Sequence, residues 1–206
     1  MKILYVHGFA SAGSTGSATQ LRNHFYPLGV EVLSPDVPVS PAEALPFLRQ
    51  FVAENHPNLI VATSMGAMYA EQLRGIPRIL VNPSFHMARM LTFGGMGRQE
   101  FRNKRLDGAK DFKIDKQMVA EFKEVEKTSF QDITTEDKLL VYGLFGKNDK
   151  KVNCQTEFKK AYGTAHFHIF DGEHYLNGKV LDTVVTPLIE TILQTLSSSL
   201  PHGEGD

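Results

Sequence analysis

Three residues in this chain have the types and the order needed for acyl chemistry: Ser64, Asp149 and His174. A serine hydroxyl is a weak nucleophile until an imidazole takes its proton and a carboxylate orients that imidazole. Ser64 sits in Ile60-Val61-Ala62-Thr63-Ser64-Met65-Gly66, an apolar run of strand length that turns sharply into a helical pattern. A strained strand–turn–helix of this kind needs small residues two before and two after the serine. Gly66 meets the second requirement, and Ala62 stands where the first glycine is usual. Taken alone, the serine also reads as a simple cap on the following helix.

Two later features favour the chemical reading. Leu139 to Phe145 is a strand-like run that ends in Gly146-Lys147-Asn148-Asp149, and His166 to Phe170 is another that runs into Gly172-Glu173-His174. Strand ends in an open parallel sheet share one edge, so the three loops can converge. Asp149 also reads as a turn residue and His174 as a surface histidine. Their occurrence after Ser64, in the order Ser, Asp, His, is the order of α/β hydrolases rather than of the two common protease folds. Acyl transfer further needs N–H donors for the oxyanion. The loop after the first strand, His7-Gly8-Phe9-Ala10, and the residue after the serine make Phe9 and Met65 the expected donors. The same glycine-containing loop lacks the Lys-Ser/Thr of a P-loop and the spacing of a dinucleotide fingerprint.

The elements that must hold these residues follow from the patterning. Strands are expected at 2–6, Val30–Leu33, Leu59–Ala62, Arg78–Val81, Leu139–Phe145 and His166–Phe170, alternating with helices as in a parallel sheet with crossovers. Helices are expected at Ser17–Pro27, from Pro41 to before Pro57, from after Ser64 to Arg74, between the last two strands, and over Gly178–Leu196. The polar tail, Ser197–Asp206, is expected to fray. The fold class is therefore α/β, a mainly parallel sheet of about six strands with helices on both faces. Residues 1–206 read as one domain, with 84–135 as a cap-like insertion of mostly helical pattern.

Composition removes other classes. Of 206 residues, 42% are hydrophobic and 22% charged, with a net charge of −1, so no global field recruits nucleic acid or a membrane surface. A single cysteine, Cys154, allows no internal disulfide, and no run is long enough for a signal core or a bilayer span. A cytoplasmic protein is expected. Several residues are set aside: His7 as an organiser of its loop, Asp36 as a rival acid that precedes the serine, and His166 with His168 as alternating strand residues. The Met and Phe residues around Met87–Met96 are taken to pack the cap. Arg89, Arg98, Arg102, Lys104 and Arg105 make the cap basic, which suits either solvated surface or an anionic substrate group.

With those residues in hand, the chain resembles the small bacterial α/β-hydrolase esterases of uncharacterised protein family 0227, the YqiA-like esterases. The matching stretches are Leu4–Ser11, Val61–Tyr69, Val81–Ser84, Gly146–Val152 and Gly172–His174. The resemblance implies an α/β-hydrolase fold, esterase activity on short acyl esters, no metal or organic cofactor, and a triad at Ser64, Asp149 and His174. The reading is thus a serine esterase for a small-molecule ester, with no nucleic-acid or membrane partner and an open oligomeric state. The alternatives are a thioesterase or acyltransferase with the same triad, or a hydrolase-like binding protein that does not catalyse.

Overall fold

A computed structural model describes residues 1–198. Strands β1 (Lys2–Val6), β2 (Glu31–Leu33), β3 (Leu59–Thr63) and β4 (Arg78–Val81) are joined by helices α1 (Gly16–Phe25), α2 (Pro41–Asn55) and α3 (Met65–Glu71). The insertion follows, with α4 (Met87–Gly94), β5 (Gly97–Glu100), β6 (Asp111–Ile114), α5 (Lys116–Lys127) and α6 (Thr135–Lys138). The chain returns through β7 (Val141–Gly146), α7 (Gln155–Tyr162) and β8 (Phe167–Phe170), and closes with α8 (Gly178–Val180) and α9 (Thr186–Ser198). The six long-crossover strands form one sheet in the order β2-β1-β3-β4-β7-β8, every pair parallel. This is the expected fold class.

Alternation along the central strands builds a core on each face. Leu4, Val6, Ile60, Ala62 and Leu80 point to the side covered by α2, α3, α5 and α7. Ile3, Tyr5, Leu59, Val61, Ile79 and Val81 point to the side covered by α1 and α9. Strands buried on both faces read as continuous apolar runs, which is why the sequence marks them so clearly. The order reverses at β1: the chain steps outward to β2, then crosses back to β3. Loops leaving β1 and β3 therefore part company and open a crevice at the carboxyl edge.

Three expectations need correction. The insertion is not wholly helical, because β5 and β6 pair antiparallel, Gly97 with Ile114 through Glu100 with Asp111. Phe112 and Ile114 alternate toward the core there, and Phe112 packs on Phe9 and Phe101. The final helix is broken by a π-turn at Leu181–Val185 and runs on to Ser198, so Ser197 and Ser198 are helical. The rest of the expected fraying tail, 199–206, lies outside the described residues. His166 precedes β8 rather than beginning it, and its ring stacks on Tyr142 at 4.1 Å. Among the described residues, no helix is long and apolar enough to cross a membrane.

Candidate active site

Ser64 occupies the turn between β3 and α3 with φ 54° and ψ −119°, a left-handed conformation that costs a non-glycine residue free energy. The turn is held from several sides. The Ser64 N–H donates to Val81 O at 3.0 Å, and Ser64 O accepts from Ser84 N at 3.1 Å. Gly66 is required by close approach, since a Cβ there would lie 2.4 Å from His7 O and 2.5 Å from Val6 O. Ala62, by contrast, is fully buried in the core with its methyl accommodated. The departure from the double-glycine pattern thus falls at the position that tolerates a side chain.

The structure brings the three expected residues together. Ser64 Oγ lies 3.0 Å from His174 Nε2, and His174 Nδ1 lies 2.8 Å from Asp149 Oδ2. Asp149 is fixed by its other oxygen, which accepts from Lys151 N at 2.8 Å and Val152 N at 3.0 Å. β7 and β8 are neighbours, so the Asp149 turn and the His174 loop leave adjacent strands. The side chains of His174 and Asp149 are only 8% and 5% exposed. That burial shields their hydrogen bond from water and strengthens it.

Asn82, which the sequence reading passed over, locks this arrangement. It is buried with φ 45°, and its amide donates to Glu173 O at 2.9 Å and His174 O at 3.0 Å. Its Oδ1 accepts from Gly146 N at 2.6 Å. One side chain just past β4 therefore ties the end of β7 to the His174 loop. Its sequence signal is a polar residue after a buried strand, tolerant of the left-handed region, within the Val81–Ser84 stretch of the family resemblance.

The two expected oxyanion donors flank the serine. Met65 opens α3, where first-turn N–H groups have no intrahelical acceptor. The Phe9 loop passes so close that a Cβ on Gly8 would sit 3.3 Å from Ser64 Cβ. Phe9 is held by edge contacts to Phe112 and Phe122. His7 organises this loop: Nδ1 pairs with Gly8 O at 2.9 Å, while Nε2 accepts from Val37 N at 3.0 Å. Burial pushes the His7 imidazole below its ordinary pKa, which favours the neutral tautomer this pattern needs. Asp36, the rival acid, instead accepts from Gly13 N at 2.7 Å and Leu106 N at 2.6 Å. It fastens the loop to the insertion.

Ser64, His174, Gly8 and Phe9 open on a cavity of about 430 Å³, walled also by Met90, Leu91, Ile114, Arg102, Lys151 and Tyr175. For metals, His86, Cys154 and Glu157 place potential ligand atoms within 4.8 Å of one another. The fit is poor, because burial pushes the Cys154 thiol up to about 11 and His86 Nε2 already pairs with Glu157 at 2.9 Å. A neutral thiol is a weak ligand.

A six-stranded parallel sheet with these loops at its carboxyl edge is the α/β-hydrolase fold, and solved structures agree. Est1E from Butyrivibrio proteoclasticus, with ferulic acid bound, superposes with a TM-score of 0.68 at 15% identity over 95% of this chain and 89% of its own. Mouse alpha/beta hydrolase domain-containing protein 10 gives 0.65 at 12% identity over 95% and 90%. The thioesterase domain from the curacin biosynthetic pathway gives 0.55 at 13% identity over 93% and 90%. Within that fold the chain belongs to the Uncharacterised protein family (UPF0227), whose model matches residues 2–184.

Proposed function

We propose that this protein is a serine hydrolase that cleaves small acyl esters through an acyl-enzyme intermediate. The observation that carries the reading is the continuous relay from Ser64 Oγ through His174 to Asp149, with contacts of 3.0 Å and 2.8 Å, opening on a cavity. His174 takes the Ser64 proton as Oγ attacks the ester carbonyl, and Asp149 holds the tautomer and stabilises the imidazolium. The N–H groups of Phe9 and Met65 receive the oxyanion. The alcohol leaves with a proton from His174, and water, deprotonated by the same imidazole, then releases the acid. A cavity of about 430 Å³ suits a short acyl group.

A fluorophosphonate probe supplies the test. Labelling is expected on the wild-type protein at Ser64 and absent from Ser64→Ala. A panel of p-nitrophenyl esters and CoA thioesters of graded length then ranks leaving group and acyl chain, because the same relay acts on both. A folded wild-type protein that neither labels nor turns over any ester sinks the proposal.

A further inference from the structure

The basic residues of the insertion are not equivalent. Arg98 pairs with Asp111 at 2.5 Å, and Arg105 is buried, bonded to Asp107 and to Val37 O. Arg102 and Lys151 have no carboxylate partner among the described residues, and both line the cavity that holds Ser64 and His174. Arg102 comes from the loop after β5, and Lys151 comes from the turn just past Asp149. Both converge on one ring: Arg102 Cζ lies 4.7 Å from the Tyr175 centroid and Lys151 Nζ 5.0 Å.

Among the described residues, no Asp or Glu lines that cavity. Its other polar groups include hydroxyls and amides such as Ser11, Thr15, Gln99 and Asn103, and the first turn of α1 opens on the same space. Two cations therefore share one aromatic ring, and neither is neutralised by a carboxylate of the cavity wall. The phenol of Tyr175 answers to them: burial pushes it upward, but hydrogen bonds and charge from Lys151 and Arg102 prevail and hold it below its ordinary value. A cleft carrying one sign of charge concentrates ligands of the other sign.

We infer that Arg102 and Lys151 form an oxyanion-holding subsite beside Ser64, so that the ester cleaved here carries a carboxylate or a phosphate. The inference rests on the serine-hydrolase reading for its chemistry, but not for its binding. The anion is held by the two cations beside Tyr175, and the ester carbonyl lies at Ser64 Oγ. The substrate is then a small half-ester of a dicarboxylic acid or an acyl ester of a phosphorylated alcohol. Guanidinium and ammonium donors to an oxyanion are charge-assisted, and their loss is felt mainly by the charged ligand.

Matched substrates test this. Mono-4-nitrophenyl glutarate is compared with its methyl ester, and 1-acetylglycerol 3-phosphate with monoacetylglycerol, at low and high salt. One anionic member of these pairs is expected to exceed its neutral match in kcat/KM by about tenfold at low salt, the advantage shrinking as salt screens it. The pair that shows it identifies carboxylate or phosphate. Arg102→Met and Lys151→Met should each lower the anionic-to-neutral ratio several-fold and the double variant should abolish it, while Lys138→Met, remote on α6, keeps it. Calorimetry with glutarate and glycerol 3-phosphate reads the same subsite without turnover, with binding expected for the wild type and lost in the double variant. Hydrolysis with equal or better use of neutral esters, unmoved by the double variant, overturns the inference and leaves the hydrolase reading standing. Ligand binding without hydrolysis of any ester has the opposite meaning.

Discussion

The two ends of β4 carry polar groups in opposite states of closure. At its amino end, Arg78 is fully buried, donating to Leu73 O at 2.6 Å and to both oxygens of Asp137 at 2.7 Å. Nearby Glu71, equally buried, accepts from Tyr162 OH and Phe130 N, with Arg74 at 3.4 Å. Burial still pushes its carboxyl above the ordinary range despite those donors. At the carboxyl end, Asn82 satisfies the loops around it, and beyond them the groups face a cavity. Both ends hold charge, yet only at one does it border open space. Ionisable groups packed against each other keep a structure in register, whereas groups held apart beside open space are available to react.

Substitutions at the two ends separate these roles. The largest effect is expected for Ser64→Ala, which should remove several orders of magnitude of ester hydrolysis while changing stability by less than about 0.5 kcal/mol. Turnover and urea midpoint on one preparation check both halves. Asp149→Asn follows, leaving Ser64 and His174 in place but admitting the wrong tautomer, with a loss of up to about ten-thousandfold in kcat and less for activated aryl esters.

At the other end the expectation inverts. Asp137→Ala leaves the Arg78 guanidinium buried without its carboxylate and should cost about 3–5 kcal/mol of stability. The folded fraction keeps its specific activity, measured below the melting transition. Inactivity of that folded fraction would join the two ends functionally and break the comparison. Asn82→Ala lies between: two carbonyls and one N–H lose their partner, for about 1–3 kcal/mol, and His174 loosens. A fall in kcat of about tenfold, with KM little changed, is the expected signature.

The smallest effect is pH-dependent. The folded protein holds His7 neutral below an unfolded value of ~6.5, so in that range the unfolded chain binds a proton the folded one refuses. This contribution lowers stability as the pH drops from about 6.5 toward the depressed folded value, and is absent above it. Urea midpoints at pH 7.5 and 5.5 should differ less for His7→Gln than for the wild type.

What the sequence made legible follows from how locally each feature is written. Ser64 and Gly66 stand within one strand–turn–helix, and Asp149 and His174 each follow a buried apolar run. Asn82 and Asp36 also follow buried strands, but nothing local names the groups they hold, and the Arg78–Asp137 pair carries no such mark. Their meaning lies in partners distant in sequence: Asn82 reaches His174, 92 residues on, and Asp36 reaches Leu106, 70 residues on. The β5–β6 hairpin was hidden for another reason. Ten residues of charged, glycine-containing loop separate its short strands, and only Phe112 and Ile114 betray the two-residue period.

The attachment of the loop after β1 to the insertion decides how this protein can be remodelled. Ala10 O accepts from Arg102 N at 2.8 Å, Ser11 Oγ donates to Asn103, Ser14 Oγ donates to Lys104 O, and Asp36 bridges Gly13 and Leu106. Residues 101–106 and 8–14 are thus a single sewn piece, although half the chain separates them. A transplanted cap from a relative would tear that seam and carry the Phe9 loop away with it. The exposed stretch at 108–110 hangs outside the stitching. Length and sequence can be added there, and new recognition grown from that tip, while the chemistry beneath is left as it is.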